Sequence, residues 1–256
     1  MKVLVISDIH GNAEALRAVM QAEQDADASI FLGDAFLSGP QANETLELLG
    51  DLNPSIAIRG NHDDEVLDPS TFRSWPAEWV ALNEWILADL DASAVPCIES
   101  LTDAGAYQFD GLSAYLHHGD LGSRDLAAVP DAEDHVFDLL GGGSDADLVL
   151  FGHTHVQFMH KIGDRTFINP GSVGQPRCGV LHACYGVFED GVYEARQVQY
   201  DPAPWLAALD RIDVLNDFPD FKSWLSDGLL TGYGIGKREP WTVSYTHLTL
   251  PTISDV

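Results

Sequence analysis

Basic side chains are scarce in this chain. It holds 4 lysines and 9 arginines against 28 aspartates and 12 glutamates, a formal charge of −27. That balance excludes a broad nucleic-acid-binding face, because affinity for a phosphate backbone is built from clustered Lys and Arg. Cysteine is scarce as well: Cys97, Cys178 and Cys184 are odd in number and lack the C-x-x-C spacing of a zinc or redox site. Reduced, mostly buried thiols are expected. No run of about 18 apolar residues occurs, and only four apolar residues separate Lys2 from Ser7 and Asp8, so neither a membrane span nor a signal segment is expected. These absences point to a soluble, cytoplasmic protein without a membrane partner.

The acids are scattered in ones and twos, as in "EQDADAS" and "PDAEDHVFD", and a hydrophobic content of 45% excludes a disordered acidic chain. Such a strongly hydrated acidic surface predicts a halophilic protein. The 256 residues suffice for one substantial core.

Three strand, loop and helix units open the chain. "KVLVIS" precedes the helical "NAEALRAVMQAEQ" with Asn12 as cap; "SIFL" leads through "GDAFLSGP" to "QANETLELLG"; "SIAI" leads into the turn-like "RGNHDDEVL". Repetition of this unit implies a sheet with helices on its outer face and loops gathered at the strand C-terminal ends. A longer helix starts near Pro76, with a stripe of Val80, Leu82, Trp85, Ile86 and Leu90, and Trp79 and Trp85 are expected to be packing residues. The second half reads as hairpins, with turns at Asp110-Gly111, Gly163-Asp164 and Asp190-Gly191. "GGGSDAD" is read as a loop inside the domain.

Polar residues stand where five of the apolar runs stop: Asp8 and His10, Asp34, Asn61 and His62, His117 and His118, His153 and His155. In extended backbone, residues two apart face one side, so Asp8 with His10 and His153 with His155 are expected to converge in pairs. His117 and His118 are adjacent, so only one, His118, is expected to join them. Mixed Asp, His and Asn donors suit borderline divalent ions such as Mn, Fe, Zn or Ni. Two ions fit the donor count better than one, with Asp34 as the bridge.

Together "DIHGN", "GD", "GNHD", "HG" and "GHTH" resemble the five signatures of calcineurin-like metallophosphoesterases. "INPGSVGQPR" and "YGVFEDG" resemble the small bacterial and archaeal YfcE-like branch, and the resemblance covers about Met1 to Tyr200. It implies an α+β fold, a four-layer αββα sandwich of two mixed β-sheets flanked by helices. Asp8, His10, Asp34 and His155 would hold a first metal; Asp34, Asn61, His118 and His153 a second. The ions would be divalent, Mn2+ first, with Fe, Ni, Zn or Co as alternatives. His62 would be the catalytic acid that protonates the leaving oxygen, after in-line attack by a metal-bridging hydroxide on a small phosphorylated substrate, a monoester or a diester. Arg59 and Arg177 would add positive charge, and Asp63 and Asn169 would orient ligand imidazoles. The second motif reads "GDAFLSG", without the second Asp and the Arg of protein phosphatases, which disfavours that role, whereas His62 keeps monoester hydrolysis open. Two rival readings are a cyclic-nucleotide or dinucleotide phosphodiesterase and a non-catalytic scaffold of the same fold.

Residues 1–242 are expected to form one domain, its motif-bearing core over 1–200 and a helical extension over 203–230. Val243 to Thr252 back-translates without mismatch to GTC TCT TAT ACA CAT CTG ACG CTG CCG ACG, resembling a transposon end and adapter used in sequencing libraries. Residues 243–256 are therefore expected to be foreign to the protein.

Overall fold

The structure, a computed structural model, describes residues 1–109, 112–123, 126–233 and 247–249. Two sheets pack face to face. In the first, β1 (Lys2–Ile6) runs parallel to β2 (Ala28–Phe31), which runs parallel to β3 (Ile56–Ala57). The second sheet holds β4 (Gly105–Phe109), β5 (Leu112–His117), β6 (Leu148–Phe151), β7 (Gln157–Ile162) and β8 (Arg165–Pro170), in the order β4-β5-β6-β8-β7. On the other flank of β1, β9 (Ala183–Glu189) and β10 (Val192–Val198) pair antiparallel, and β11 (His247–Thr249) adds to β10, giving the order β11-β10-β9-β1-β2-β3. Both sheets are mixed.

Alternation along β1 shows why the sheets stack. Val3 and Val5 point into a core shared with Leu116, Leu148, Leu150 and Ile168 of the second sheet. Leu4 and Ile6 point the other way, onto Leu16 and Val19 of α1 (Ala13–Ala22). Strand β6 repeats the pattern on its own outer side, where Val149 and Phe151 meet Val136, Phe137 and Leu140 of α6 (Asp134–Leu140). Strands covered on both faces must be apolar throughout, and each buried Val, Leu or Ile contributes about 1.5–3 kcal/mol. The result is the four-layer sandwich.

The helices on the outer face of the first sheet include α2 (Ala42–Leu52), α4 (Ala77–Asp89), α7 (Ala203–Asp210) and α8 (Pro219–Thr231). Trp205, Leu209, Leu225 and Leu229 of the last two enter the same core cluster as Leu4 and Ile6. Helix α4 starts after Pro76 and buries Leu82 and Ile86, with Val80, Trp79 and Trp85 half-buried against the cluster. "RGNHDDEVL" is not only a turn: Asn61–Leu67 is a helix, α3, capped at Gly60, where the Asp63 carboxylate accepts the Gly60 N–H at 2.9 Å. Hairpin turns do occur at Gly163 and at Asp190-Gly191, with φ of +60°, +51° and +77°. The turn at Asp110-Gly111 lies outside the described residues, as does most of the stretch 243–256. Cys97 and Cys178 are half-buried and Cys184 is buried, all three as free thiols. No helix among the described residues is long and apolar enough to cross a membrane.

Candidate metal centre

The loops after β1, β2, β5 and β6, together with the start of α3, meet at one edge of the sandwich. Asp8, His10, Asp34, His153 and His155 all have positive φ, between +47° and +67°. Asp and His tolerate this left-handed conformation better than branched residues do, yet each such residue costs on the order of 1–3 kcal/mol. The strain corrects the expectation for Asp8/His10 and His153/His155. They do converge, but by successive left-handed turns, since none of the four lies on a strand. Backbone bonds hold the turns: Asp8 N–H donates to Gly33 O at 2.9 Å and Ile9 N–H to Asp34 O at 2.8 Å. Close approach also needs small residues. A Cβ on Gly60 would collide with Asp34 Oδ1 and stand 2.7 Å from His118 Cε1; one on Gly152 would collide with Ser7 Oγ and stand 2.7 Å from Asp8 Oδ2.

Three groups of candidate metal donors result: Asp8, His10 and His155; His10, Asp34 and His62; Asp34, His118 and His153, with the ligand atoms of each group within 4.8 Å of one another. They share His10 and Asp34. His155 Nε2 is 3.4 Å from Asp8 Oδ1, and His118 Nε2 is 3.0 Å from Asp34 Oδ2. Asn61 joins through Oδ1, 2.9 Å from His153 Nδ1. All seven sequence-predicted donors are thus in one cluster. His117 stays out, its Nδ1 accepting the Gly119 N–H at 2.9 Å.

The donor set fits cations on two observations. His10 Nδ1 faces Leu37 O at 3.0 Å and His155 Nδ1 faces Gln175 O at 2.9 Å. A carbonyl only accepts, so both Nδ1 atoms carry hydrogen and both Nε2 lone pairs are free in the neutral rings, yet the Nε2 atoms face each other at 3.0 Å. A cation between or beside them resolves that opposition. Secondly, Asp34 Oδ2 and His118 Nε2 face each other at 3.0 Å, both buried, and are met by no other hydrogen-bond partner. Protonation follows the same logic. Burial, then the neighbouring His155, lowers His10 to about 3; burial opposes charge on His118, but Asp34 outweighs it and raises His118 to about 10. Burial also opposes the Asp34 carboxylate, yet His118 and His62 hold it well below the usual carboxylate range.

The imidazoles are oriented by backbone carbonyls, not by the expected Asp63 and Asn169. His118 Nδ1 donates to Leu32 O at 2.7 Å, completing the pattern of His10 and His155. Asp63 instead accepts the Asp34, Ala35 and Gly60 N–H groups at 2.8, 2.9 and 2.9 Å, tying the second loop to the start of α3. Burial and then Asp34 push its carboxyl up to about 6 against those three donors. Asn169 donates to Gly152 O at 2.8 Å and Thr154 Oγ1 at 3.1 Å, fastening the "GHTH" loop. Arg59 is engaged by Asp103 and, at 3.5 Å, by Asp64. Arg177 lines the cleft, with Nη1 donating to Thr154 O at 3.2 Å.

His62 occupies the first turn of α3. Its N–H donates to Asp34 Oδ1 at 2.8 Å and its Nδ1 meets Glu65 Oε2 at 2.7 Å. Burial opposes the charged ring, but Asp34 and then Glu65 outweigh it and raise the pKa to about 9. Sequence reading missed Glu65; its signal was the three-residue spacing from His62, which brings the two together only on a helix. A cleft of about 280 Å³ opens beside these groups, lined also by Ser38, Trp75, Trp79, Ala127, Val129, Gln175 and Arg177. Trp79 therefore lines the cleft as well as packing. A larger cavity of about 470 Å³, bounded by Leu49, Cys97 and Tyr107, carries none of the cluster's groups.

Residues 1–189 match the calcineurin-like phosphoesterase superfamily domain. The chain belongs to that superfamily. It is 30% identical over 251 residues to the uncharacterized protein MJ0912 of Methanocaldococcus jannaschii, covering 90% of this chain and 98% of that one. It is 26% identical over 204 residues to phosphodiesterase YfcE of Escherichia coli K12, covering 75% of this chain and 89% of the relative. A metallophosphoesterase structure from Sphaerobacter thermophilus superposes with a TM-score of 0.69 at 25% identity, over 89% of this chain and 99% of that one. As a member of that superfamily, the chain is a metal-dependent phosphoric ester hydrolase.

Proposed function

We propose that the chain hydrolyses small phosphate esters at a two-metal centre, with His62 as the acid for the leaving oxygen. The observation that carries this reading is the sharing of Asp34 between donor groups, with His62 on the adjacent turn. Asp8, His10, Asp34 and His155 would hold one ion; Asp34, Asn61, His118 and His153 the other. The chemistry that a pair of divalent ions would supply there is a water of lowered pKa and neutralisation of charge in an in-line displacement. Borderline donors favour Mn2+, with Fe, Ni, Zn or Co as substitutes.

The chain's own residues supply the rest. Glu65 takes up His62 Nδ1, which leaves Nε2 as the nitrogen that delivers a proton to the departing oxygen. Once the ring is neutral, the same carboxylate keeps its tautomer. Arg177, Gln175 and Ser38 form a polar wall that can bind phosphoryl oxygens. Asp63 and Asn169 act at one remove, as clamps on the loops that carry Asp34 and His153.

A diester substrate, including a cyclic nucleotide or dinucleotide, is supported by the similarity to a relative named a phosphodiesterase. Metal analysis of the purified protein, followed by assay of p-nitrophenyl and bis-p-nitrophenyl phosphate with each metal at low and high salt, tests the reading. Hydrolysis of either ester with about two ions per chain is expected. No hydrolysis with any metal overturns it.

A further inference from the structure

Resting on the phosphoesterase reading, we propose that Trp75 and Trp79 form a subsite for a flat aromatic ring carried by the phosphate ester, so that the substrates are aryl or nucleoside phosphates of about mononucleotide size.

The cleft is lined by two kinds of group: polar His10, Asp34, His153, His155, Gln175 and Arg177, and apolar Trp75, Trp79, Ala127 and Val129. A charged phosphate joined to a flat apolar group uses both kinds, whereas a sugar or alkyl phosphate uses only the first. The two indoles stand in series from the proposed acid. Trp75 meets the His62 ring edge-to-face at 5.6 Å, and Trp79 meets Trp75 in the same manner at 6.3 Å. An aryl group bonded directly to the oxygen that His62 protonates falls beside Trp75. A nucleobase, set back by its sugar, falls beside Trp79.

Both rings are half-buried and packed by further aromatics. Trp79 packs on Phe221 at 4.8 Å and on Trp224 at 6.1 Å, both from α8, and Trp75 lies 6.3 Å from Phe72. The rings are fixed before a ligand arrives, which lowers the ordering cost of binding. Core sealing alone explains Trp85, which packs on the core without lining the cleft. Trp75 and Trp79 pack against that core too, but unlike Trp85 they also line the cleft that holds His62. A polymer is excluded on two grounds: the cleft is about 280 Å³, at the low end of ligand sites, and the chain carries a charge of −27.

The test is binding of phosphonates, whose C–P bond the enzyme does not cleave, to the full metal-loaded chain by calorimetry and indole fluorescence. The probes are phenylphosphonate, the phosphonate analogue of adenosine 5′-phosphate, and methylphosphonate. The aromatic probes are expected to bind about tenfold or more tighter than methylphosphonate and to quench indole emission. Trp75→Leu should remove the advantage of the phenyl probe and Trp79→Leu that of the nucleoside probe, while Trp75→Phe and Trp79→Phe retain part of each. Equal affinity for all three probes in the wild type, or an advantage that survives both leucine variants, overturns the subsite. Where a leucine variant fails to fold, the wild-type comparison with its quenching decides. Ring preference without hydrolysis of any ester would sink the phosphoesterase reading and leave the subsite standing; hydrolysis without ring preference would sink the subsite alone.

Discussion

Glu65 Oε2 lies 2.7 Å from His62 Nδ1, one helical turn away on α3, and His62 lines the cleft beside the donor cluster. Asp34 and then this carboxylate keep the ring charged, and the contact at Nδ1 leaves Nε2 as its second nitrogen. Glu65→Gln keeps the shape but removes the charge, so the His62 pKa should fall. An acid must be protonated to act; the alkaline limb of kcat on an alkyl phosphate should therefore move to lower pH in this variant. An unshifted limb would show that Glu65 does not tune the acid.

The raised pKa of His62, owed to Asp34 and then Glu65, makes stability depend on pH. The folded pKa of His62, about 9, is raised above its ordinary 6.5. The stabilisation is thus fully present below 6.5 and is lost as pH rises through about 9. In metal-free protein the melting temperature should fall more steeply across that window than in His62→Gln. Parallel curves would refute the linkage.

His62→Ala should lower turnover of esters with poor leaving groups by about 10²–10⁴-fold, the usual scale for a general acid, while metal content persists. Unchanged turnover on alkyl phosphates, or loss of the ions, would contradict its assignment as an acid.

Asp34 belongs to two donor groups, whereas His155 belongs to one. Asp34→Asn should therefore empty both positions, and His155→Ala chiefly one, as read by elemental analysis after desalting. Retention of two ions by Asp34→Asn would sink the bridging role.

Much of this site was legible because strand ends are where apolar runs stop, and Asp8, Asp34, Asn61, His118 and His153 could be collected on that ground alone. The manner of convergence was not legible. Left-handed backbone at Asp8, His10, His153 and His155 comes from tertiary bonds to the neighbouring loop, which no spacing rule encodes. For the same reason the orienting partners of the imidazoles were misread: Leu32, Leu37 and Gln175 act through carbonyls, which are invisible to residue type. Reading "GNHD" as a turn also hid Glu65, since a three-residue spacing has meaning only on a helix. The four layers were legible only through the family resemblance: β1 and β6 are apolar on both faces, so their runs alone do not say which face meets a helix and which the other sheet.

Forty acidic residues against thirteen basic ones leave the surface self-repelling at low salt. Screening shortens that repulsion to a Debye length of about 3 Å at 1 M. The melting temperature should rise between low and molar salt, and anion capture, read as kcat/KM, should rise with it. A melting temperature that stays flat or falls would count against a halophilic protein.

Gly60 separates packing from backbone conformation as the cause of the site's geometry. Its φ of −100° and ψ of 176° lie in extended space open to any residue, so alanine meets no backbone penalty there. The added Cβ would nonetheless collide with Asp34 Oδ1 and press on His118 Cε1 at 2.7 Å. Neither neighbour can give way easily, because His118 is held by Leu32 O and Asp34 by the clamp of Asp63. Overpacking of this kind costs about 1–3 kcal/mol, little enough for the sandwich to survive. Gly60→Ala should therefore fold with a modestly lowered melting temperature, yet lose most of its metal and activity, because the displaced atoms belong to Asp34 and His118. Full metal content and full activity in the folded variant would mean that Asp34 and His118 are free to move apart, and the tight shared geometry argued for the cluster would fail.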